Sequence, residues 1–289
     1  MRKQAIGWIL KGAAMGAADA VPGVSGGTIA LITGIYERFI AALAGIRPAL
    51  LPLVIQGKWK KLWLEVDGNF LLCLGIGILF SLITVLNLLH VLLAVAAPVV
   101  WSFFMGVILL SLVHLVREHQ WGTKDLLLFA SGLAMSVMLV FMTAIDAGSS
   151  PLVLFLGGAL AISAMLLPGI SGSFILLLLG IYPQVVEAVH EKDLMVILWV
   201  GLGCVAGILS FSKFLQWLMS RWHDSVLSFM LGVIAGALIK VWPWQGGGSW
   251  YGPLSYEVQT GEAAWLLISV LVFLSGCLLT HFLYKRSGV

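Results

Sequence analysis

Two short motifs rich in glycine and hydroxyl groups are the residues of this chain best suited to chemistry. The first reads Pro22-Gly23-Val24-Ser25-Gly26-Gly27, and the second reads Pro168-Gly169-Ile170-Ser171-Gly172-Ser173. Gly-Ile-Tyr follows each at the same distance, at 34–36 and 180–182, which indicates an internal duplication. Both copies interrupt apolar stretches, where an unpaired backbone N–H or C=O is costly. Broken backbone in such a place indicates a segment that lines a cavity or a site.

The chemistry that these motifs offer is anion binding. Proline at Pro22 and Pro168 ends a helix, and glycine at Gly23 and Gly169 permits backbone conformations that other residues avoid. The serines that follow are good N-caps, and the free N–H groups of the returning helix favour an anion. We predict that two such helix starts hold a phosphate or carboxylate through Ser25, Gly26, Gly27, Thr28, Ser171, Gly172 and Ser173. The alternative is that the motifs only kink and pack membrane helices.

Asp19 and Glu37 are the candidate coupling residues. Asp19 precedes Pro22 at a depth where ionisable side chains are costly and by default functional, and the second copy has Met165 there. Because an ionised carboxylate repels an anion, we hypothesise that Asp19 is protonated when the anion binds and couples proton movement to transport. The alternative is that Asp19 caps a broken helix end. Arg38, beside Glu37, suits either bidentate phosphate binding or a surface charge at the end of the hairpin.

Composition places these motifs in a membrane. Of the 289 residues, 61% are hydrophobic and 10% are charged, whereas a soluble domain has about 25% charged residues. The apolar stretches are continuous rather than alternating, which indicates helices and not a β-barrel. The three cysteines and six histidines show no metal-ligand spacing, so neither a metal nor a cofactor is predicted. The chain has no soluble basic patch, and nucleic-acid binding is therefore not expected.

The predicted fold is an all-α polytopic membrane protein with two inverted-topology repeats, 1–150 and 151–289, in one integral membrane domain. Each repeat is a broken, re-entrant helical hairpin followed by three transmembrane helices. The hairpins cover 5–44 and 152–189, and the spans are 70–91, 99–116 and 126–145, then 194–218, 226–241 and 263–284. Because an odd number of crossings separates the hairpins, the two copies are inverted relative to each other. Whether the hairpin arms cross fully or re-enter is left open.

The positions of the basic residues predict the orientation in the membrane. With both termini in the cytoplasm, 14 of the 16 lysines and arginines lie on or toward the cytoplasmic side, and only Lys192 and Lys240 lie outside. This distribution agrees with the positive-inside rule. The fourteen are Arg2, Lys3, Lys11, Arg38, Arg47, Lys58, Lys60, Lys61, Arg117, Lys124, Lys213, Arg221, Lys285 and Arg286.

The two motifs resemble the signatures of a known family. The segments 18–30 and 164–176, together with the Gly-Ile-Tyr-Glu at 34–37, are similar to those of the bacterial and archaeal polyprenyl-phosphate transporters called PopT. The resemblance extends over both halves, without a departure in either motif. It implies translocation of undecaprenyl phosphate, the C55 lipid carrier, to the inner leaflet of the cytoplasmic (inner) membrane. That step recycles the carrier for peptidoglycan and other cell-envelope polymers.

The expected partners follow from this resemblance. They are a polyprenyl-phosphate lipid and the surrounding membrane lipids, and a homo-oligomer is left open. A transporter or channel for a small water-soluble anion is the alternative, since it would use the same pair of helix starts. An intramembrane lipid phosphatase is disfavoured, because no Arg/His-rich cluster, Ser–His pair or paired aspartates lie on adjacent spans. The chain is therefore not expected to be an enzyme.

Overall fold

A computed structural model describes residues 2–21 and 24–287, so the predicted break residues Pro22 and Gly23 lie outside the described residues. The secondary structure is helical apart from one small hairpin of strands β1 (Gln245–Gly246) and β2 (Ser249–Trp250). The α-helices are α1 (Arg2–Asp19), α2 (Gly26–Ile32), α3 (Tyr36–Gly45), α4 (Leu51–Ile55), α5 (Trp59–Glu65), α6 (Gly68–Glu118), α7 (Thr123–Phe141), α8 (Pro151–Leu166), α9 (Gly172–Leu178), α10 (Tyr182–Glu191), α11 (Leu194–Ala237), α12 (Pro253–Thr260) and α13 (Leu266–Ser287). Short 3-10 helices cover Pro48–Leu50 and Leu238–Val241.

Long apolar helices dominate this chain. Within the described ranges, five helical stretches are long and apolar enough to cross a membrane, or up to seven if each bent pair of short helices is one span. These numbers rest on length and composition. The prediction of an all-α polytopic membrane protein is confirmed. The five stretches are Gly68–Val85, Val91–Glu118, Thr123–Phe141, Leu194–Val241 and Leu266–Lys285.

Helix α6 contains two of the predicted spans, and α11 together with the 3-10 helix Leu238–Val241 contains two more. A straight helix of the 51 residues of α6 would be about 77 Å long, more than twice the hydrocarbon thickness of about 30 Å. Each helix is broken at one residue with non-helical backbone, at Ala96 (φ −146°, ψ 52°) and Trp222 (φ −140°, ψ 50°). The residues between each pair of predicted spans therefore form a tight break within a continuous helical stretch. Pro98 lies just after the first break, where a missing N–H is tolerated.

Helix packing follows the same pattern in both halves of the chain. Helix α1 packs on α6 as α8 packs on α11, and α6 packs on α13 as α11 packs on α7. Glycines in these contacts bring two backbones together, since an added Cβ would clash with a backbone oxygen of the neighbouring helix. The pairs are Gly12 and Gly77, Gly158 and Gly203, Gly106 and Gly276, and Gly132 and Gly232. This repetition supports the duplication, while the inverted orientation of the repeats stays a prediction.

Each hairpin has a second bend that the sequence analysis did not predict. Helices α2 and α3 meet at 119°, and helices α9 and α10 meet at 109°. The bends coincide with the repeated Gly-Ile-Tyr, where Gly34 (φ +69°) and Gly180 (φ +75°) have left-handed backbone that favours glycine. Each predicted hairpin therefore consists of three helices rather than two arms. The short α2 and α9 lie between the motif and the second bend.

The predicted span 126–145 is shorter in the structure. Helix α7 ends at Phe141, and residues 142–150 form neither helix nor strand. The backbone N–H of Ile145 donates to the carbonyl oxygen of Leu178 at 2.8 Å, so this segment lies beside the end of α9. The apolar side chains of Met142, Ala144 and Ile145 thus continue the hydrophobic stretch without continuing the helix.

Replacing Gly203 by alanine is expected to lower the free energy of unfolding by roughly 1–3 kcal/mol, because the added Cβ would overpack a close helix contact. That Cβ would collide with the carbonyl oxygen of Phe155 on α8. Gly201 is the matched control, because it lies on the same helix and an added Cβ there has nothing within 4 Å. Thermal unfolding of both variants in one detergent measures the difference. Equal melting temperatures would contradict this packing.

Candidate functional site

The two motifs lie against each other in the interior of the protein. The backbone N–H of Gly169 donates to Thr28 Oγ1 at 2.8 Å, and the Tyr36 hydroxyl donates to the carbonyl oxygen of Leu166 at 2.8 Å. Thr28 and Tyr36 are both buried. The structure thus brings the predicted Thr28 and Gly169 together. Sequence analysis missed the role of Tyr36, although the recurrence of Gly-Ile-Tyr was a signal that this segment belongs to the site.

The carboxylate of Asp19 occupies the start of α2. The backbone N–H of Gly26 donates to Asp19 Oδ1 at 2.7 Å, at the place where the sequence predicts an external anion. This geometry agrees with the capping alternative for Asp19, and the coupling role stays a prediction. Gly27 follows in the first turn of α2, where an added Cβ would lie 3.0 Å from the carbonyl oxygen of Met165. The counterpart of Asp19 in the second motif therefore packs against the first motif.

Neither motif serine caps its helix as the sequence suggested. Ser25 and Ser171 hold the N-cap positions of α2 and α9, but their side chains make no capping hydrogen bond. The Asp19 carboxylate accepts from the N–H of Gly26, the first residue of α2, and so supplies a side-chain cap that Ser25 does not. Ser25 Oγ is buried and has no hydrogen-bond partner among the described residues. Ser171 Oγ is instead 2.9 Å from Ser173 Oγ, within hydrogen-bonding distance.

The second motif ends α8 where the sequence predicts the break. Helix α8 stops at Leu166, directly before Leu167 and Pro168. Gly169 then has φ +90°, and α9 begins at Gly172. The backbone therefore turns at the predicted break residues, and the turn directs the Gly169 N–H toward the first motif.

Arg38 is held by other residues of the protein and does not reach the motif serines. Its Nε and one terminal nitrogen donate to the two carboxylate oxygens of Asp67, at 2.6 and 3.1 Å. The guanidinium carbon lies 4.5 Å from the ring centroid of Trp8 and 4.6 Å from that of Phe70. This arrangement favours the surface-charge interpretation of Arg38 over phosphate binding.

Glu37 lies on a separate polar cavity at the surface. A hydrogen bond of 2.8 Å joins Glu37 Oε1 to His223 Nε2, next to the break in α11. Arg38 and His223 help to line the cavity, which has a volume of about 340 Å³. The contact places the end of the first hairpin and the α11 break on the same side of the protein. The positions of Arg38 and Arg221 predict that this is the cytoplasmic side.

An apolar groove of about 480 Å³ leads toward the second motif. Helix α7 forms one wall, and the parts of α11 before and after its break form the others. Leu167, next to Pro168, lines the groove, whereas Lys124 is the charged residue in its lining. Sequence analysis missed this groove because its walls come from segments far apart in the chain. Its apolar walls include Leu128, Phe211, Phe214, Leu218, Phe229 and Met230.

Comparisons with known proteins agree with the family that the motifs suggested. The model of a protein family described as VCA0040-like, undecaprenyl phosphate translocase-like, matches residues 15–257. A Vibrio cholerae protein named polyprenyl-phosphate transporter is 39% identical over 280 residues, which cover 91% of each chain. A Staphylococcus aureus protein of the same name is 33% identical over 254 residues, which cover 81% of this chain and 85% of the relative. No solved structure matches the chain. The chain therefore belongs to the VCA0040-like, undecaprenyl phosphate translocase-like family.

Proposed function

We propose that this protein translocates undecaprenyl phosphate across the cytoplasmic membrane and so returns the lipid carrier to cell-envelope synthesis. The observation that carries the proposal is the contact between the two motifs at Thr28 and Gly169, next to an apolar groove that reaches Leu167. A phosphate on a hydrocarbon chain needs a polar site for its headgroup and an apolar groove for its tail at the same time. The names of the Vibrio cholerae and Staphylococcus aureus relatives support the same substrate class.

The headgroup would bind between the two motif tips. Ser25, Gly26, Gly27 and Thr28 contribute from one side, and Ser171, Gly172 and Ser173 contribute from the other. Carrying a phosphate through bare hydrocarbon costs at least several kcal/mol, because the ion loses its hydration. Hydroxyl and N–H donors that replace this hydration lower the barrier. The buried Ser25 hydroxyl, which has no partner among the described residues, suits such a donor.

Asp19 would control access to the first motif. In the described structure its carboxylate accepts the hydrogen bond from the Gly26 N–H, the same donor that a phosphate would use. Two anions cannot share that donor without strong repulsion, so the carboxylate has to be neutralised or displaced when the headgroup binds. Protonation of Asp19 achieves this and carries one proton with each headgroup. Proton coupling through Asp19 is therefore part of the proposal.

The polyprenyl tail would occupy the apolar groove between α7 and α11. A volume of about 480 Å³ lies in the range of ordinary ligand pockets and suits only part of a C55 chain. The rest of the tail would stay in the bilayer. Lys124 lies in the groove lining on the predicted cytoplasmic side. A channel for a water-soluble anion would have no use for such a groove, which favours the lipid substrate over that alternative.

The membrane arrangement completes the proposal. We infer two inverted repeats, with both termini in the cytoplasm, that alternately expose the motif tips to each leaflet. The equivalent breaks at Ala96 and Trp222 and the repeated glycine contacts support two equivalent halves. Ala96 and Trp222 are as far apart in the sequence as Gly77 and Gly203, so the break and the glycine contact recur with the same spacing.

Purified protein in liposomes tests this function directly. We expect labelled polyprenyl phosphate to move between leaflets faster than in liposomes without protein, with no release of inorganic phosphate. The labelled parent polyprenol, which lacks the phosphate, serves as the control substrate and should not be accelerated. Flux of inorganic phosphate without lipid movement would favour the small-anion alternative. Release of phosphate from the lipid would instead indicate a phosphatase.

A further inference from the structure

Lys240 is a half-buried lysine near the second motif, and neither the sequence analysis nor the proposed function gave it a role. It lies in the 3-10 helix that follows α11. No hydrogen bond or ion pair joins its Nζ to any residue in the described part of the chain, and Nζ lies 4.4 Å from the ring centroid of Phe174. By contrast, Lys11 Nζ donates to the carbonyl oxygen of Thr33 at 2.6 Å, and Arg38 binds Asp67.

The surroundings of Lys240 contain the hydroxyls of the second motif. Lys240, Gly169, Ser171 and Phe174 line one small cavity of about 20 Å³, together with Ser136. That volume is close to what a single water molecule needs, so the cavity is too small for a phosphate in the described structure. Its lining nevertheless combines one cation with the hydroxyl of Ser171, which itself contacts Ser173. This set of groups suits a phosphate monoester.

Lys240 lies on the predicted outer side of the membrane, whereas most basic residues of the chain lie on the predicted cytoplasmic side. Only Lys192 and Lys240 fall on the predicted outer side. Lys192 is exposed at the end of α10, where solvent hydrates its ammonium group. A half-buried ammonium without a carboxylate partner carries a desolvation cost that a cation–π contact such as that with Phe174 offsets only in part, and such residues in membrane proteins mark substrate pathways. An anion that visits the cavity would compensate this cost.

We propose that Lys240 binds the phosphate monoester group of the substrate on the outer side of the motif tips, together with Ser171 and Ser173. This inference rests on the proposed function and adds a cation to a site that otherwise offers only neutral donors and the carboxylate of Asp19. The two motifs then differ in charge, with Asp19 beside the first and Lys240 beside the second. The cavity has to widen when the headgroup enters from the outer leaflet.

Binding of farnesyl phosphate, a short soluble polyprenyl phosphate, to purified protein in detergent tests this site. We expect Lys240→Met to weaken farnesyl phosphate binding about tenfold or more, the size of one lost charge-assisted hydrogen bond. Lys240→Arg should retain most of the affinity, and Lys192→Met is the matched control that should bind like the wild type. Binding of farnesol, which has no charge, should not depend on Lys240. Wild-type affinity in Lys240→Met, or equal loss in Lys240→Arg and Lys240→Met, would overturn the proposal.

A measurement on the unmodified protein covers the case in which Lys240→Met does not fold. Farnesyl phosphate, but not farnesol, should protect Lys240 from an amine-reactive reagent, as read by mass spectrometry, while Lys192 stays reactive. Absence of protection would contradict the site. Inorganic phosphate is tested in parallel to distinguish a free anion from a lipid headgroup. If phosphate alone protects Lys240 as well as farnesyl phosphate does, the site binds a free anion, and the proposal of a lipid headgroup is overturned. If Lys240-dependent binding holds but liposomes show no lipid movement, the proposed function fails and the site remains.

Discussion

Replacing Ser25 by alanine is expected to leave the melting temperature unchanged or slightly raised, while lipid movement in liposomes falls roughly tenfold or more. A buried hydroxyl without a partner costs about 1–3 kcal/mol, so its removal does not harm the fold. In the proposed site the same hydroxyl donates to the phosphate, and a hydrogen bond to a charged group contributes about 1.5–3 kcal/mol. Lipid movement therefore falls although the melting temperature does not.

The matched control for this variant is Ser269→Ala. Ser269 lies on α13, and its hydroxyl is also buried without a partner among the described residues. We expect Ser269→Ala to change the melting temperature as Ser25→Ala does, but to move lipid as fast as the wild type. The double variant Ser25→Ala/Ser171→Ala then tests both motifs together. If it moves polyprenyl phosphate as fast as the wild type, neither serine contacts the headgroup and the proposed site is wrong.

Replacing Asp19 by asparagine is expected to remove the response of transport to a pH gradient. Asparagine keeps the shape of the Asp19 side chain and an oxygen that can accept from the Gly26 N–H. Its amide cannot take up a proton over the pH values of the gradient. In the wild type, a lower pH on the outer side should speed movement toward the inner leaflet, because a proton enters with each headgroup. In Asp19→Asn, the rates with and without the gradient should be equal. The measurement is lipid movement in liposomes with an imposed gradient.

Glu37→Gln is the control for this experiment. Glu37 was the second candidate for coupling, but its side chain is 69% exposed and contacts His223 in a surface pair. Such pairs contribute about 0–1 kcal/mol, and we expect the pH response of Glu37→Gln to match that of the wild type. An unchanged pH response in Asp19→Asn would contradict coupling and leave Asp19 with its capping role alone.

The sequence was most informative where a pattern occurs twice. The repeated motif predicted two broken segments, and the structure brings Thr28 and Gly169 of those segments into contact. Apolar length and composition were sufficient for the polytopic helical fold. Both signals depend on physics that acts locally along the chain, since unpaired backbone and charge are costly in hydrocarbon wherever they occur.

Features that depend on distant partners were not predictable in the same way. Arg38 offered two interpretations, and only the position of Asp67, which lies far along the chain, favours one of them. Ser25 holds the N-cap position that its type suggests, but its hydroxyl makes no capping bond, and the Asp19 carboxylate of the preceding helix accepts from the Gly26 N–H. The predicted spans 70–91 and 99–116 allowed for a break between them, but alanine is a strong helix former, so the position of that break at the single residue Ala96 was not predictable.

Each half of the chain packs a helix against the other half, and these contacts have a consequence for biogenesis. The later part of α6 packs on α13, and α7 packs on the later part of α11. The first half therefore lacks the partners of α6 and α7 until the second half has been synthesised. The close contact of Gly106 with the Phe273 carbonyl of α13 can form only after α13 has been synthesised and inserted. Assembly of this protein is therefore completed late, as one event that unites both halves.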